Sequence, residues 1–229
     1  MLAARQPAGG PPDGDHRMIE LYTWPTPNGR KVSIMLEELG EPYDVRAVDI
    51  GAGAQHTEAF RAIAPSGRIP AIRDVESGLT MMESGAILLW LAETRGRFLP
   101  QGAARWPVLE WAFWQVGALG PHLGQAHQVL KHNRGKAPWS EGKSREQVAR
   151  AYATLEARLA ARDYIAGDGR GDYTIADILS WPWVSRFEWQ EVDLGQYPAV
   201  RDWYLRIAER PAVQAGYRQP HYVNDIPLP

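Results

Sequence analysis

The chain has 229 residues, 45% hydrophobic and 23% charged, with 25 basic side chains against 27 acidic ones and a formal net charge of −2. That balance offers no electrostatic footprint for nucleic acid or anionic lipid, and the longest apolar run, residues 86–92, falls far short of the roughly 20 residues needed to cross a bilayer. Cysteine is absent, so disulfides, thiolate metal ligands and a nucleophilic thiol of the protein's own are excluded. Any sulfur chemistry must use a borrowed thiol.

Residues 1–17 are rich in Gly, Pro and Ala and contain no apolar stretch of the signal-peptide kind. They predict a disordered tail on a cytoplasmic protein, with Met18 as compatible a start as Met1. Residues 18–23, rich in Ile, Leu and Tyr, predict a strand, and 24–29 a turn. Val32, Met35, Leu36 and Leu39 recur at helical spacing, closed by Gly40. A strand over 43–50, a loop over 51–55 and a short helix over 57–63 follow. Residues 69–74 and 79–82 read as a strand pair around Glu76-Ser77-Gly78, and Glu83-Ser84-Gly85 opens the next helix.

Beyond a linker over 98–105 the pattern is helical only, which predicts a domain of residues 18–97, a second of 106–215 and a C-terminal tail of 216–229. Leu109, Ala112, Phe113 and Val116 mark a helix that Gly117, Gly120 and Pro121 should bend or break. Thr174-Ile175-Ala176-Asp177 spells a capping box, and a last helix through Trp203 and Ile207 should stop at Pro211. His122, His127 and His132 resemble a metal cluster on paper, but a spacing of five turns each by some 140° from the last on an α-helix. Packed or solvated histidines are the expectation, and no metal site.

Three short constellations carry chemistry. In Thr26-Pro27-Asn28-Gly29 a capping threonine and a first-turn proline open a helix, whose free amides and dipole suit an anion. In Gly67-Arg68-Ile69-Pro70 a proline at a strand start, if cis, would free the Ile69 main chain for an extended peptide-like ligand; a trans edge-strand proline is the plainer alternative. Glu83-Ser84 at a helix start offers an acid for an ammonium and a hydroxyl for a carboxylate, the two charges of an amino-acid head group.

With these residues, Phe113-Trp114-Gln115-Val116-Gly117-Ala118-Leu119-Gly120-Pro121, Ile175-Ala176-Asp177 and Trp181-Pro182-Trp183 in view, the chain resembles the cytosolic glutathione transferase superfamily over about residues 18–215. It looks most like the bacterial nu class, which includes glutathione-dependent disulfide-bond oxidoreductases and is similar to the yeast prion-forming nitrogen regulator. The resemblance implies a thioredoxin-like glutathione-binding domain, an all-helical domain and a homodimer, with glutathione as cosubstrate and a small disulfide or electrophile as its partner. It implies that Thr26 and Asn28 face the glutathione sulfur, that Gln55 and Ile69 hold the tripeptide main chain with Arg68 beside them, and that Glu83 and Ser84 take the γ-glutamyl head. Lys143 or Arg145 is the candidate contact for a second glutathione, and Trp24, Phe113, Trp114 and Trp183 are candidate walls of an electrophile pocket. The activity it implies first is a glutathione-dependent disulfide-bond reductase with weak transferase activity beside it; the alternatives are a transferase acting on a carbon electrophile or thioether, and a non-catalytic glutathione-binding regulator or scaffold.

Overall fold

The computed structural model describes residues 18–229; the tail expected over 1–17 lies outside them. Strand β1 (Ile19–Thr23) pairs in parallel with β2 (Tyr43–Ala47), and antiparallel with β3 (Ala71–Asp74), which in turn pairs antiparallel with β4 (Thr80–Met82). The sheet order is β2-β1-β3-β4. Alternation along the strands serves two faces. Ile19, Leu21 and Ile72 enter the main core beneath helices α1 (Pro27–Leu39) and α3 (Ser84–Arg95), while Tyr22 and Ala71 meet Phe60 of the short helix α2 (Glu58–Arg61) on the other side. Helix α1 ends as its sequence predicts: Gly40 takes the left-handed conformation (φ 71°), which lets its N–H close onto the last turn. Strand β2 is shorter than expected and gives way after Ala47 to a loop ending in a 3-10 turn, Ala54–His56.

From Arg105 onward the chain is helical. The break expected at Gly117, Gly120 and Pro121 does not occur. Helix α4 (Arg105–Trp114) runs through a π-helical segment, Gln115–Leu119, into α5 (Gly120–Ala126) and a second π segment, His127–His132. A π turn bonds i to i+5, so the register slips by one residue and the missing N–H of Pro121 falls within the slip. The same geometry corrects the reading of the histidines. Within the second π segment residues five apart stack, and His127 and His132 both edge onto the Trp189 ring at 5.4 and 5.6 Å. Among the described residues no group of three His, Asp or Glu side chains is placed to hold a metal.

Helices α6 (Pro138–Leu159), α7 (Ile175–Val184) and α8 (Pro198–Ala208) complete the bundle. The capping box forms: Thr174 Oγ1 accepts from the Ala176 N–H at 3.3 Å, and Asp177 Oδ2 accepts from the Thr174 N–H at 3.0 Å. Asp177 also receives Ile165 N–H and Trp203 Nε1–H, yet its full burial still raises its carboxyl to about 6. Helix α8 ends at Ala208, ahead of Pro211 as expected, but it is not the last helix. Pro211 is also the first residue of a further helix, α9 (Pro211–Tyr217), because a proline needs no N–H donor partner at a helix start. Helix α9 lies against α1: Ser33 Oγ donates to the Gly216 carbonyl at 2.7 Å, Arg30 Nε donates to the Tyr217 carbonyl at 3.1 Å, and Arg210 pairs with Glu38 at 2.6 and 2.7 Å. The expected tail of 216–229 is therefore helical at its start and packed beyond, where the Pro227 carbonyl accepts from Tyr204 OH at 2.7 Å. No helix among the described residues is long and apolar enough to cross a membrane.

Candidate functional site

The opening of α1 is built by its sequence. Thr26 caps the helix, its Oγ1 accepting from the Gly29 N–H at 3.2 Å, which leaves the hydroxyl proton free to donate elsewhere. Position 29 admits only glycine, since a Cβ there would strike the Trp24 carbonyl. Asn28, half-buried, accepts at Oδ1 from Trp183 Nε1–H at 3.1 Å. Neither Thr26 nor Asn28 takes up a proton at neutral pH, so what this end of the helix offers is donors and a positive dipole end.

Across from it, the Ile69–Pro70 peptide is cis. The Ile69 main chain makes no hydrogen bond among the described residues, in keeping with the reading of a free peptide edge before β3. Glu83, which precedes α3, is held at φ 71°, a left-handed conformation that costs a non-glycine residue about 1–3 kcal/mol. That turn delivers its exposed carboxylate and the buried Ser84 to one rim. Asn28, Ser66, Arg68, Ile69, Pro70, Glu83 and Ser84 together line a cavity of about 80 Å³.

Gln55 does not line that cavity. Its Nε2 donates to the Ile50 carbonyl at 3.3 Å, and its Oε1 is buried without a partner, an acceptor left over for a donor from outside the chain. It adjoins the same edge through Gly67, where a Cβ would come 3.1 Å from the Gln55 carbonyl.

Two side chains beside the candidate site escaped the sequence reading in the places they take. Lys31, buried on α1, donates to Ser84 Oγ at 3.3 Å and to Gln115 Oε1 at 2.8 Å in the first π segment. Burial pulls its ammonium down to about 7, against the Glu83 carboxylate, which raises it. The signal was a lysine one turn after Asn28, among residues that otherwise face the core. The second is Trp183 in its actual role, for which no local signal exists.

The aromatic wall expected of Trp24, Phe113, Trp114 and Trp183 is not assembled by these four. Trp24 contacts His221 at 4.9 Å and lines a cavity of about 470 Å³ with Arg186 and Glu188. Phe113 is 69% exposed and lines an apolar groove between α3 and α4. Trp114 packs edge-on to Trp111, and Trp183 is committed to Asn28. Helical periodicity sends neighbouring positions 113 and 114 to different sides. Nor do Lys143 and Arg145 border the Asn28 cavity: Lys143 pairs with Glu146 at 3.3 Å, and Arg145 with Glu191 at 2.8 Å and Glu141 at 3.5 Å.

Residues 26–94 match the model of the glutathione S-transferase N-terminal domain, and residues 122–211 that of its C-terminal domain. The chain is 43% identical over 201 residues to the disulfide-bond oxidoreductase YfcG of Escherichia coli (strain K12), covering 85% of this chain and 92% of that protein. It is 37% identical to the disulfide-bond oxidoreductase YghU of the same organism, covering 92% and 80%. Among solved structures it matches a glutathione transferase from Burkholderia graminis with two glutathione molecules bound per subunit, at 36% identity, TM-score 0.82 and 91% coverage of both chains. A glutathione transferase from Pseudomonas putida with one glutathione disulfide bound per subunit matches at 34% identity and TM-score 0.82, covering 91% and 94%.

Proposed function

The chain belongs to the glutathione S-transferase superfamily, and from that membership we propose that it is a glutathione-dependent disulfide-bond reductase in which bound glutathione provides the attacking sulfur. The observation that carries the reading is the convergence of Asn28, Arg68, Ile69, Glu83 and Ser84 on one cavity. A donor-bearing helix start, a free peptide edge and an amino-acid head-group site lie in the order that one γ-glutamyl tripeptide thiol requires.

In this reading Glu83 takes the α-ammonium, and Ser84, with the amides opening α3, takes the α-carboxylate. As the ammonium, the form that a bound carboxylate favours, Lys31 only donates, so Ser84 Oγ accepts from it and turns its own proton toward that carboxylate. Ile69 pairs with the ligand main chain, Gln55 Oε1 accepts from it, and Arg68 lies alongside. The Thr26 hydroxyl and the Asn28 N–H2 donate to the sulfur at the N-terminus of α1, which favours the thiolate without any base. That thiolate attacks one sulfur of the disulfide and expels the other as a thiolate, which water protonates; the mixed disulfide left behind is attacked by a second glutathione thiolate, giving glutathione disulfide and the second thiolate of the substrate.

Two further features belong to the proposal. Trp106 and Phe113 of α4 and Val116 of the π segment that follows leave exposed apolar surface beside the groove against α3, a surface suited to a second copy in a homodimer. Dependence on reduced glutathione fits the cytoplasm, where that pool is kept reducing. The test is a paired assay of one preparation with glutathione against 2-hydroxyethyl disulfide and against a chloronitrobenzene. Turnover of the disulfide well above that of the aromatic electrophile is expected; the reverse would make the protein a transferase, and binding without either turnover a regulator.

A further inference from the structure

Trp183 and Asn28 stand on α7 and α1, 155 positions apart, and are joined by one hydrogen bond from the indole Nε1–H to Asn28 Oδ1 at 3.1 Å. An indole N–H can only donate. Asn28 must therefore turn its carbonyl oxygen toward Trp183 and its N–H2 away from it. That N–H2 makes no hydrogen bond among the described residues, and Asn28 borders the cavity it shares with Ile69, Glu83 and Ser84.

The surroundings hold the indole in place. Gly124 opens space for it, since a Cβ there would come 3.2 Å from Cη2, while a Cβ on Gly120 would crowd Gln115 at 2.9 Å and only touch the indole Nε1 at 3.4 Å. The His127 ring stacks on the indole at 5.5 Å and 27°. Gln190 Nε2 donates to the Trp183 carbonyl at 2.8 Å and reaches His127 Nε2 at 3.1 Å, while its Oε1 accepts from Tyr152 OH at 2.7 Å. Gly124, His127 and Gln190 thus all serve this one placement.

We propose that Trp183 is a positioning residue for the reaction: it locks the Asn28 amide so that the bound glutathione sulfur meets a donor and not an acceptor. The proposal rests on the reading that Asn28 faces that sulfur. The terminal torsion of an asparagine is broad and nearly two-fold, so an unheld amide exchanges its N–H2 and its oxygen at little cost. An oxygen turned to a thiolate repels it and favours the protonated thiol.

Trp183→Phe keeps the ring and removes the N–H. The thiol of bound glutathione, followed by thiolate ultraviolet absorbance against pH, should rise in pKa by about one unit, lowering the thiolate fraction at neutral pH by up to about tenfold. The kcat should fall in step while KM for glutathione stays nearly constant. Asn28→Ala should show the same signature at least as strongly, and the double variant should be no worse than Asn28→Ala alone. If Asn28→Ala leaves the titration unmoved, Asn28 does not face the sulfur, and both readings fall. If Asn28→Ala moves it but Trp183→Phe does not, or if the two effects add, Trp183 does not act through Asn28 and the proposal alone is overturned. Loss of melting temperature without a titration shift would mark a purely structural role and also overturn it. A second measurement does not need Trp183→Phe to fold. In Asn28→Ala the Trp183 indole N–H resonance, assigned in the wild-type protein, should move upfield as its acceptor disappears; an unmoved resonance overturns the lock.

Discussion

Lys31 of α1 spans from Ser84 to Gln115 Oε1, at 3.3 and 2.8 Å, so a single buried ammonium ties the rim of the candidate site to the π segment of the helical domain. Lys31→Met should weaken glutathione binding by about tenfold, the worth of one charge-assisted hydrogen bond, because Ser84 loses the donor that orients it and the ligand carboxylate loses a nearby positive charge. Calorimetry on the folded variant reads this, and an unchanged Kd removes Lys31 from the site.

Glu83 is the acid assigned to the ligand ammonium. Glu83→Ala should raise the Kd for glutathione by roughly tenfold or more while leaving the thiol pKa of whatever glutathione still binds close to its wild-type value. A shifted pKa at unchanged affinity would place Glu83 in the activation of the sulfur and not in head-group binding.

With no cysteine in the chain, disulfide reductase activity should require added glutathione and survive prior treatment of the protein with iodoacetamide. Turnover with glutathione omitted would exclude glutathione as the attacking thiol.

His127 carries a pH signature. Burial first, then Arg186 and His132, lowers its imidazole to about 4, below the ordinary 6.5 or so of an unfolded chain. As pH falls below 6.5 the unfolded state takes up a proton that the native state refuses, so this contribution to stability declines until about pH 4. Asp177, raised to about 6 by burial, works in the opposite sense over much of that range: the native state protonates first and gains stability on acidification. The wild-type profile should therefore be shallow there. The stability of His127→Gln relative to wild type should grow by on the order of 3 kcal/mol between pH 6.5 and 4, measured by urea denaturation. A difference that stays constant with pH would mean that His127 titrates normally in the fold.

What was legible in the chain was local. Apolar composition located β1, the turn Glu76-Ser77-Gly78 located β3 and β4, helical spacing located α1, Glu83-Ser84-Gly85 the start of α3, and Thr174 with Asp177 the start of α7, because each of these is decided by residues within a few positions of one another. The helix through Gly117, Gly120 and Pro121 was misjudged because those residues break an α-helix and are accommodated by a π turn, whose cost is met by packing from elsewhere. Pro211 marks the stop of α8 and equally the start of α9, and only the stop is legible locally, since proline favours both positions. The site followed the same division. Thr26, Asn28, Glu83 and Ser84 announced themselves as helix openings, whereas the assignment of Trp183 to Asn28 depends on a contact across 155 positions that no local pattern encodes.

The docking of α9 on α1 bears on how the molecule is made. A Cβ on Gly216 would lie 2.6 Å from the Ile34 Cα, so the surface of the helix that bears Asn28 and Lys31 is completed only by a segment far downstream of it. During synthesis the sheet and α1 emerge from the ribosome before α9, and Arg30 Nε and the Ser33 hydroxyl wait for their carbonyl partners until residues 216 and 217 clear the exit tunnel. The sheet domain is thus translated well before it is finished, and a nascent chain stalled short of α9 would carry the candidate site without the helix that braces it.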